Sequence, residues 1–255
     1  MYVKINAMKT FDKLRLAAFV LSTLPPIQKH RREIDKAHAA GDYAREQEWI
    51  RLAENYWGSK LFSHYGVSAA MSGEPLESLP EGGVFFVANH DGYGDIPLFM
   101  DAIKTKQIGF VAKGELGKIP VFNKWIVRIR SLMLERDDPR YALRVFAEGE
   151  EWLKQGFSLV IFPEGTRAKG KGMNPFQKGS LRMALRAGIP IVPISTKGSW
   201  ECFENAGYPH PGVIHFHIHP ATDTKDISKS DESALLNKIE KTIRDQVESW
   251  DKETT

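Results

Sequence analysis

Val84-Phe85-Phe86-Val87-Ala88-Asn89-His90-Asp91-Gly92-Tyr93-Gly94-Asp95 is an apolar run that stops abruptly in a polar, glycine-containing turn. Residues 84–88 are apolar without interruption and rich in β-branched and aromatic side chains. That composition describes a strand buried on both faces. Pro97 follows the turn, and the first turn of a helix is where proline fits, so residues 96–103 read as the helix that leaves the loop. Buried strand, short loop and helix together begin an α/β alternation.

The alternation continues downstream. Residues 108–112, 132–134, 158–162, 191–195 and 213–218 read as further strands, and 121–128, 140–155, 180–187 and 232–250 as helices. The last helix carries Leu235, Leu236, Ile239, Ile243, Val247 and Trp250 along one side. The expected fold is α/β, with a mostly parallel or mixed central sheet flanked by helices. Chemistry in such sheets gathers in the loops beyond strand C-termini.

Upstream the style changes. Phe11, Leu14, Leu16, Phe19, Val20 and Leu24 mark one helix, and Trp49, Leu52, Ala53, Tyr56 and Trp57 a second. A charged stretch, 29–42, separates them, and Pro25-Pro26 is expected to break the first. The chain is therefore divided into 1–72, an N-terminal helical region forming an amphipathic hairpin, and 73–255, an α/β domain. Lys4, Lys9, Lys13, Arg15, Lys29, Arg31 and Arg32 surround the first helix. Apolar faces edged with cations suit the boundary between acyl chains and anionic headgroups, and equally suit a hairpin packed on its own domain. No stretch reaches the roughly 20 apolar residues that a membrane-spanning helix needs.

Composition bounds the rest. With 255 residues, 42% hydrophobic and 26% charged, the chain is long enough for a sizeable core and too apolar for wholesale disorder. The net charge of +3 is compatible with phosphate-bearing or membrane partners. No nucleic-acid reader motif accompanies it. Cys202 is the sole cysteine, so no internal disulfide forms.

Two loops carry the chemistry. In the first, His90 stands at a strand's C-terminal end and Asp95 follows in the same loop. An imidazole, with an unperturbed pKa of ~6.5, can take a proton from a hydroxyl near neutral pH. A carboxylate on its far nitrogen would fix the tautomer. The alternative is that Asp95 caps the next helix and His90 is an ordinary loop histidine. In the second loop, Phe162-Pro163-Glu164-Gly165-Thr166-Arg167 offers a guanidinium suited to phosphate, with Lys169, Lys171 and Lys178 beyond it. The same stretch imitates a nucleotide-binding P-loop, but Gly172 stands where a hydroxyl must hold magnesium, so nucleotide hydrolysis is rejected. Lys113 and Arg136 each follow a strand and could converge with Arg167 on one anion. His215, His217 and His219 alternate on one strand face, but no acidic partner accompanies them in that segment, and no metal site is assigned. A Gly-x-Ser-x-Gly nucleophile elbow is absent.

Asn89-His90 with Asp95, then Arg136, then 162–167, then Val192-Pro193-Ile194, in that order, resemble the glycerolipid acyltransferase family, most nearly its 1-acylglycerol-3-phosphate acyltransferases. The resemblance implies that His90 is the general base and Asp95 its orienting partner. It links Arg136 and Arg167, and less directly Lys113, to the acceptor's phosphate. It puts Glu164, Gly165 and Thr166 on a substrate-binding turn. It likens the first region to a helical segment that rests on the bilayer.

The implied enzyme acylates lysophosphatidic acid to phosphatidic acid by direct transfer, without cofactor or metal. Acyl-CoA or acyl carrier protein supplies the thioester. The protein is expected at the cell membrane, peripheral or monotopic, on the cytoplasmic face. A non-catalytic binder of anionic lipid with the same fold, or an acyltransferase for another lysolipid or for glycerol 3-phosphate, are the alternatives. A zinc hydrolase built on His215, His217 and His219 is a third.

Overall fold

The structure, a computed structural model, describes residues 10–113, 122–134 and 139–253. Its strands are β1 (Val67–Gly73), β2 (Phe85–Ala88), β3 (Gly109–Lys113), β4 (Leu132–Leu134), β5 (Leu159–Ile161), β6 (Ile191–Lys197) and β7 (Gly212–Ile218). They form one seven-stranded sheet in the order β1-β7-β6-β2-β5-β3-β4. The five strands from β6 to β4 run parallel, β7 is antiparallel to β6, and β1 is parallel to β7. The C-terminal ends of β2, β3, β4, β5 and β6 therefore open on one edge. Every residue of β2 is buried, since β5 and β6 flank it and helices cover both faces, and this is why its sequence is uniformly apolar.

Helices α1 (Thr10–Ala39), α2 (Tyr43–Tyr65), α3 (Asp95–Ala102), α4 (Phe122–Arg128), α5 (Pro139–Lys154), α6 (Arg182–Ala187) and α7 (Glu232–Glu253) complete the fold. The six strands expected from apolar runs all form, with ends moved by a residue or two. Two expectations need correcting. Helix α1 does not break at Pro25-Pro26 but runs through both, and through most of the charged stretch, to Ala39. Leu21 and Ser22, whose carbonyls lose their helical donors to the prolines, are exposed, so water can satisfy them. Residues 67–73, within the span read as helical, form β1. It is an edge strand with only Val67 buried, so its sequence carries little of the alternation that marks a half-buried strand. Among the described residues, no helix is long and apolar enough to cross a membrane.

Helices α1 and α2 form the hairpin, antiparallel, with Phe19 against Trp57 and His30 against Trp49 and Tyr56. Asp42 caps α2, accepting from the Arg45 N–H at 3.1 Å. The hairpin packs on the domain: Ile34, Ile50, Ala53 and Phe62 belong to the central core. A buried Arg130–Glu46 pair with two hydrogen bonds, 2.8 and 2.7 Å, ties α2 to the turn before β4.

Helix α2 also sets the position of α3, whose first residue is Asp95. The two meet at Gly58, where a Cβ would lie 2.5 Å from the Asp101 backbone nitrogen and 2.8 Å from the Met100 carbonyl carbon. Backbone cannot yield as a side-chain tip can, so Gly58→Ala is expected to lower stability by roughly 1–3 kcal/mol, the scale of overpacking a tight core. Denaturant unfolding of the two proteins checks this. A variant as stable as the parent would mean that the two helices are not held this closely.

Candidate active site

His90 is set just beyond the end of the central strand. Asn89 extends the β2–β6 pairing in side-chain form: its Nδ2 donates to the Thr196 carbonyl and its Oδ1 accepts from the Thr196 N–H, both at 2.8 Å. The backbone of His90 is held from the β5 side. Its N–H donates to Glu164 Oε1 at 2.7 Å, and its carbonyl accepts from the Ala168 N–H at 2.7 Å. The imidazole lies on Phe162, ring centroids 4.2 Å apart and planes 18° from parallel. Stack and backbone together leave the ring little rotational freedom.

Asp95 is fully buried. Its Oδ2 lies 2.7 Å from His90 Nδ1 and accepts from the Gly92 N–H at 3.0 Å, while its Oδ1 accepts from the Thr196 hydroxyl at 3.2 Å. The carboxylate thus turns back into the loop onto His90, Gly92 and Thr196, and the N-cap of α3 is Gly94, with no side-chain cap. This contact is the one that the paired reading of Asp95 requires. A carboxylate only accepts, so the proton between the two side chains sits on Nδ1. Nε2 is then left with its lone pair, on a side chain that keeps 18% of its surface exposed. Such a nitrogen can remove a proton from a bound hydroxyl.

Two further carboxylates hold the loops around this pair. Glu164 takes the His90 N–H on one oxygen and both the N–H and the side-chain amide of Asn174 on the other, at 2.7 and 2.8 Å. Burial pushes its carboxyl above the usual range, against the pull of these donors. Asp91 accepts from the N–H groups of Gly170, Gly198 and Trp200 at 3.0–3.1 Å, joining the loops after β2, β5 and β6. Its carboxyl is also raised, first by burial and then by the charge of Asp95.

Arg167 follows β5 in the loop whose Ala168 binds the His90 carbonyl. Its guanidinium lies over the Tyr93 ring, 3.6 Å from the centroid, and its Nη1 donates to Glu204. The other predicted site residues are placed as follows. Gly165 takes a left-handed conformation, φ 66°, in the turn beyond Pro163, and Thr166 is exposed. Glu164 is directed inward at protein donors. Lys113 ends β3 at the same sheet edge, but its side chain lies outside the described residues, as does all of Arg136. The strand histidines do not gather as a set of three, although the rings of His217 and His219 lie 4.5 Å apart. His215 packs on Trp250, His217 bonds Ser72 and His219 bonds Ser195. Among the described residues, no group of three potential ligands could hold a metal. Sequence reasoning missed Asp91, Tyr93 and Glu204. Asp91 and Tyr93 stand inside the motif it singled out, whereas nothing local distinguishes Glu204.

Comparison with known proteins bears on the family and the fold. A family model described as Acyltransferase matches residues 72–197. A 1-acyl-sn-glycerol-3-phosphate acyltransferase of Pseudomonas aeruginosa is 30% identical over 177 residues, 69% of this chain and 65% of that protein. The alignment thus spans just under two thirds of that relative. The protein of the same name from Escherichia coli is 25% identical over 181 residues, 71% of this chain and 73% of its own length. Among solved structures, the 1-acyl-sn-glycerophosphate acyltransferase PlsC of Thermotoga maritima superposes with a TM-score of 0.69 and 26% identity, covering 93% of this chain and 98% of that one.

Asp95→Ala tests the buried pair without reference to activity. It removes the acceptor at His90 Nδ1, so the ring proton is expected to move to the partly exposed Nε2. Nitrogen NMR of the histidine ring reads the tautomer directly. An unchanged tautomer would show that Asp95 does not set it.

Proposed function

We propose that the chain is a member of the acyltransferase family and that it transfers a fatty acyl group from an acyl thioester to the free hydroxyl of a 1-acylglycerol 3-phosphate, giving phosphatidic acid. One observation carries the chemical part of this reading: His90 Nδ1 is 2.7 Å from a carboxylate with no exposed surface. The relatives' names supply the acceptor.

In the proposed reaction, His90 Nε2 removes the proton from the glycerol hydroxyl as its oxygen attacks the thioester carbonyl. The imidazolium that forms is stabilised by Asp95 at Nδ1. The tetrahedral intermediate then collapses, the carbon–sulfur bond breaks, and the thiol leaves with the proton returned by His90. The products are an ester and a free thiol, and no acyl-enzyme forms. A coenzyme-A and an acyl-carrier-protein thioester present the same carbonyl to this site, and either serves as donor. The thioester is already activated, so the mechanism uses no metal.

Arg167 anchors the acceptor's phosphate in this reading, joined from the sequence by Arg136 and Lys113. Its proximity supports the assignment, since it stacks on Tyr93, three residues beyond His90. A fixed anchor determines which hydroxyl reaches the base. Acceptor and product are lipids, so the reaction belongs at a bilayer surface. Exposed Leu21 and Leu24 on α1, followed by exposed Lys29, Arg31 and Arg32, support a peripheral or monotopic attachment through the hairpin.

His90→Ala is expected to cut kcat by about 10²–10⁴, the usual worth of a general base. Turnover of acyl-CoA with 1-acylglycerol 3-phosphate, followed by thiol release, measures it, and a near-normal rate would remove His90 from the mechanism. Arg167→Ala is expected to raise the acceptor KM by roughly tenfold or more, the scale of one lost charge-assisted hydrogen bond. An acceptor KM that stays at the parent value would remove Arg167 as the anchor.

A further inference from the structure

The guanidinium assigned to the acceptor is already engaged by the protein. Glu204 lies on a single π-helical turn, Glu201–Asn205, beyond β6. One of its oxygens accepts from Arg167 Nη1, and the other accepts the Tyr93 N–H at 2.5 Å. One carboxylate therefore bridges the loop that carries the base and the side chain proposed to hold the phosphate. Both partners are largely buried, with 21% of the Arg167 and 15% of the Glu204 side chain exposed, so solvent screens the pair only in part.

Glu204 is itself firmly held. The preceding residue, Phe203, is buried against the rings of Phe62 and Tyr65 and closes against Gly94, where a Cβ would come within 2.5 Å of its ring. Gly92 passes so near that a Cβ there would lie 2.6 Å from the Trp200 nitrogen and 3.0 Å from Glu204 Oε1. The π-turn, the His90 loop and the Arg167 loop are thus locked together, with Asp91 bonding the same three loops on the other side.

We propose that Glu204 is a positioning residue of the acceptor site, fixing the distance between the catalytic imidazole of His90 and the phosphate-binding guanidinium of Arg167. The inference rests on the function proposed above. A guanidinium has five N–H donors and Glu204 takes one on Nη1, while the Tyr93 ring supports its face, so edge donors remain for a phosphate. A long, flexible arginine is thereby ordered before substrate arrives, and the acceptor does not have to order it on binding. The opposite possibility is a carboxylate that merely occupies the phosphate's place until displaced. Its second oxygen, committed to a backbone N–H, and its backbone, pinned by Phe203, argue against a group built to move away.

The two ideas differ in sign. In the full-length protein, with acyl-CoA and 1-acylglycerol 3-phosphate, Glu204→Ala is expected to raise the acceptor KM roughly tenfold, the scale of one charge-assisted hydrogen bond, with kcat and donor KM little changed. In an Arg167→Ala background the same change is expected to add less than about twofold, since Glu204 acts through Arg167. Glu204→Gln, which keeps the side chain's outline, runs in the same cycle, and replaces Glu204→Ala should that variant fail to fold. Gln is expected to shift the acceptor KM in the same direction by a smaller factor. An acceptor KM that falls or stays constant in both variants overturns the proposal, as does a full additional loss in the Arg167→Ala background. Arg167→Ala alone reports on the underlying reading: if it leaves the acceptor KM unchanged, the phosphate anchor is wrong and the positioning role falls with it. If it raises KM while the Glu204 variants do not, only the positioning role fails.

Discussion

A carboxylate with no access to water has to find its donors inside the protein, and the architecture around the site follows from meeting that need for Asp95. The donors come from three places: the Gly92 N–H in its own loop, the Thr196 hydroxyl at the end of β6, and His90 Nδ1. β2 and β6 must be neighbours for Thr196 to arrive, and the amide of Asn89 fixes their relative height. Were the pairing of the two strands to slip by one residue, the side chain at 196 would point to the other face of the sheet and Asp95 would lose a partner. The parallel core of the sheet thus supplies one of the partners that hold Asp95 beside His90.

Satisfying Asp95 in this way leaves further acids out of water. Asp91 and Glu164 are buried too, and each answers with backbone N–H groups from neighbouring loops. Burial still dominates, and both carboxyls sit above their ordinary range. The sign of the linkage is clear. A carboxyl raised in the folded state binds its proton more tightly there than in the unfolded chain, so its contribution is fully present below the unfolded pKa and is lost as pH rises through the folded value. Near neutral pH these groups are a local cost, offset by the apolar core under β2. Stability and function pull apart here, as they do where a site demands charge in a dry place.

Much of this was legible in the sequence because buried parallel strands are written as continuous apolar runs, and β2, β5 and β6 are such runs. The edge strand β1 was missed, since Ser68, Ala69, Ala70 and Ser72 carry no strong signal when one side has no neighbour. Pro25-Pro26 misled because a proline's effect on a helix depends on whether the freed carbonyls can be hydrated, which only tertiary placement decides. His90 and Asp95 stood out because they are 5 residues apart in one loop. Glu204 lies 37 residues from Arg167 and 111 from Tyr93, so nothing local pairs them. Lys113 closes β3, and Arg136 lies outside the described residues.

The residues proposed as base and anchor are held by different means. His90 is fixed by backbone hydrogen bonds, by the strand pairing that Asn89 extends, and by its stack on Phe162, so little short of altering the sheet displaces it. The Arg167 guanidinium is held by the Tyr93 face and the Glu204 carboxylate, side-chain contacts on loops that Asp91 ties to the His90 loop. Under the proposed function, changes to the Tyr93 and Glu204 contacts of Arg167 are expected to alter which acceptor is gripped and where its hydroxyl falls, and changes to the Asp95 contact of His90 to alter the chemical step.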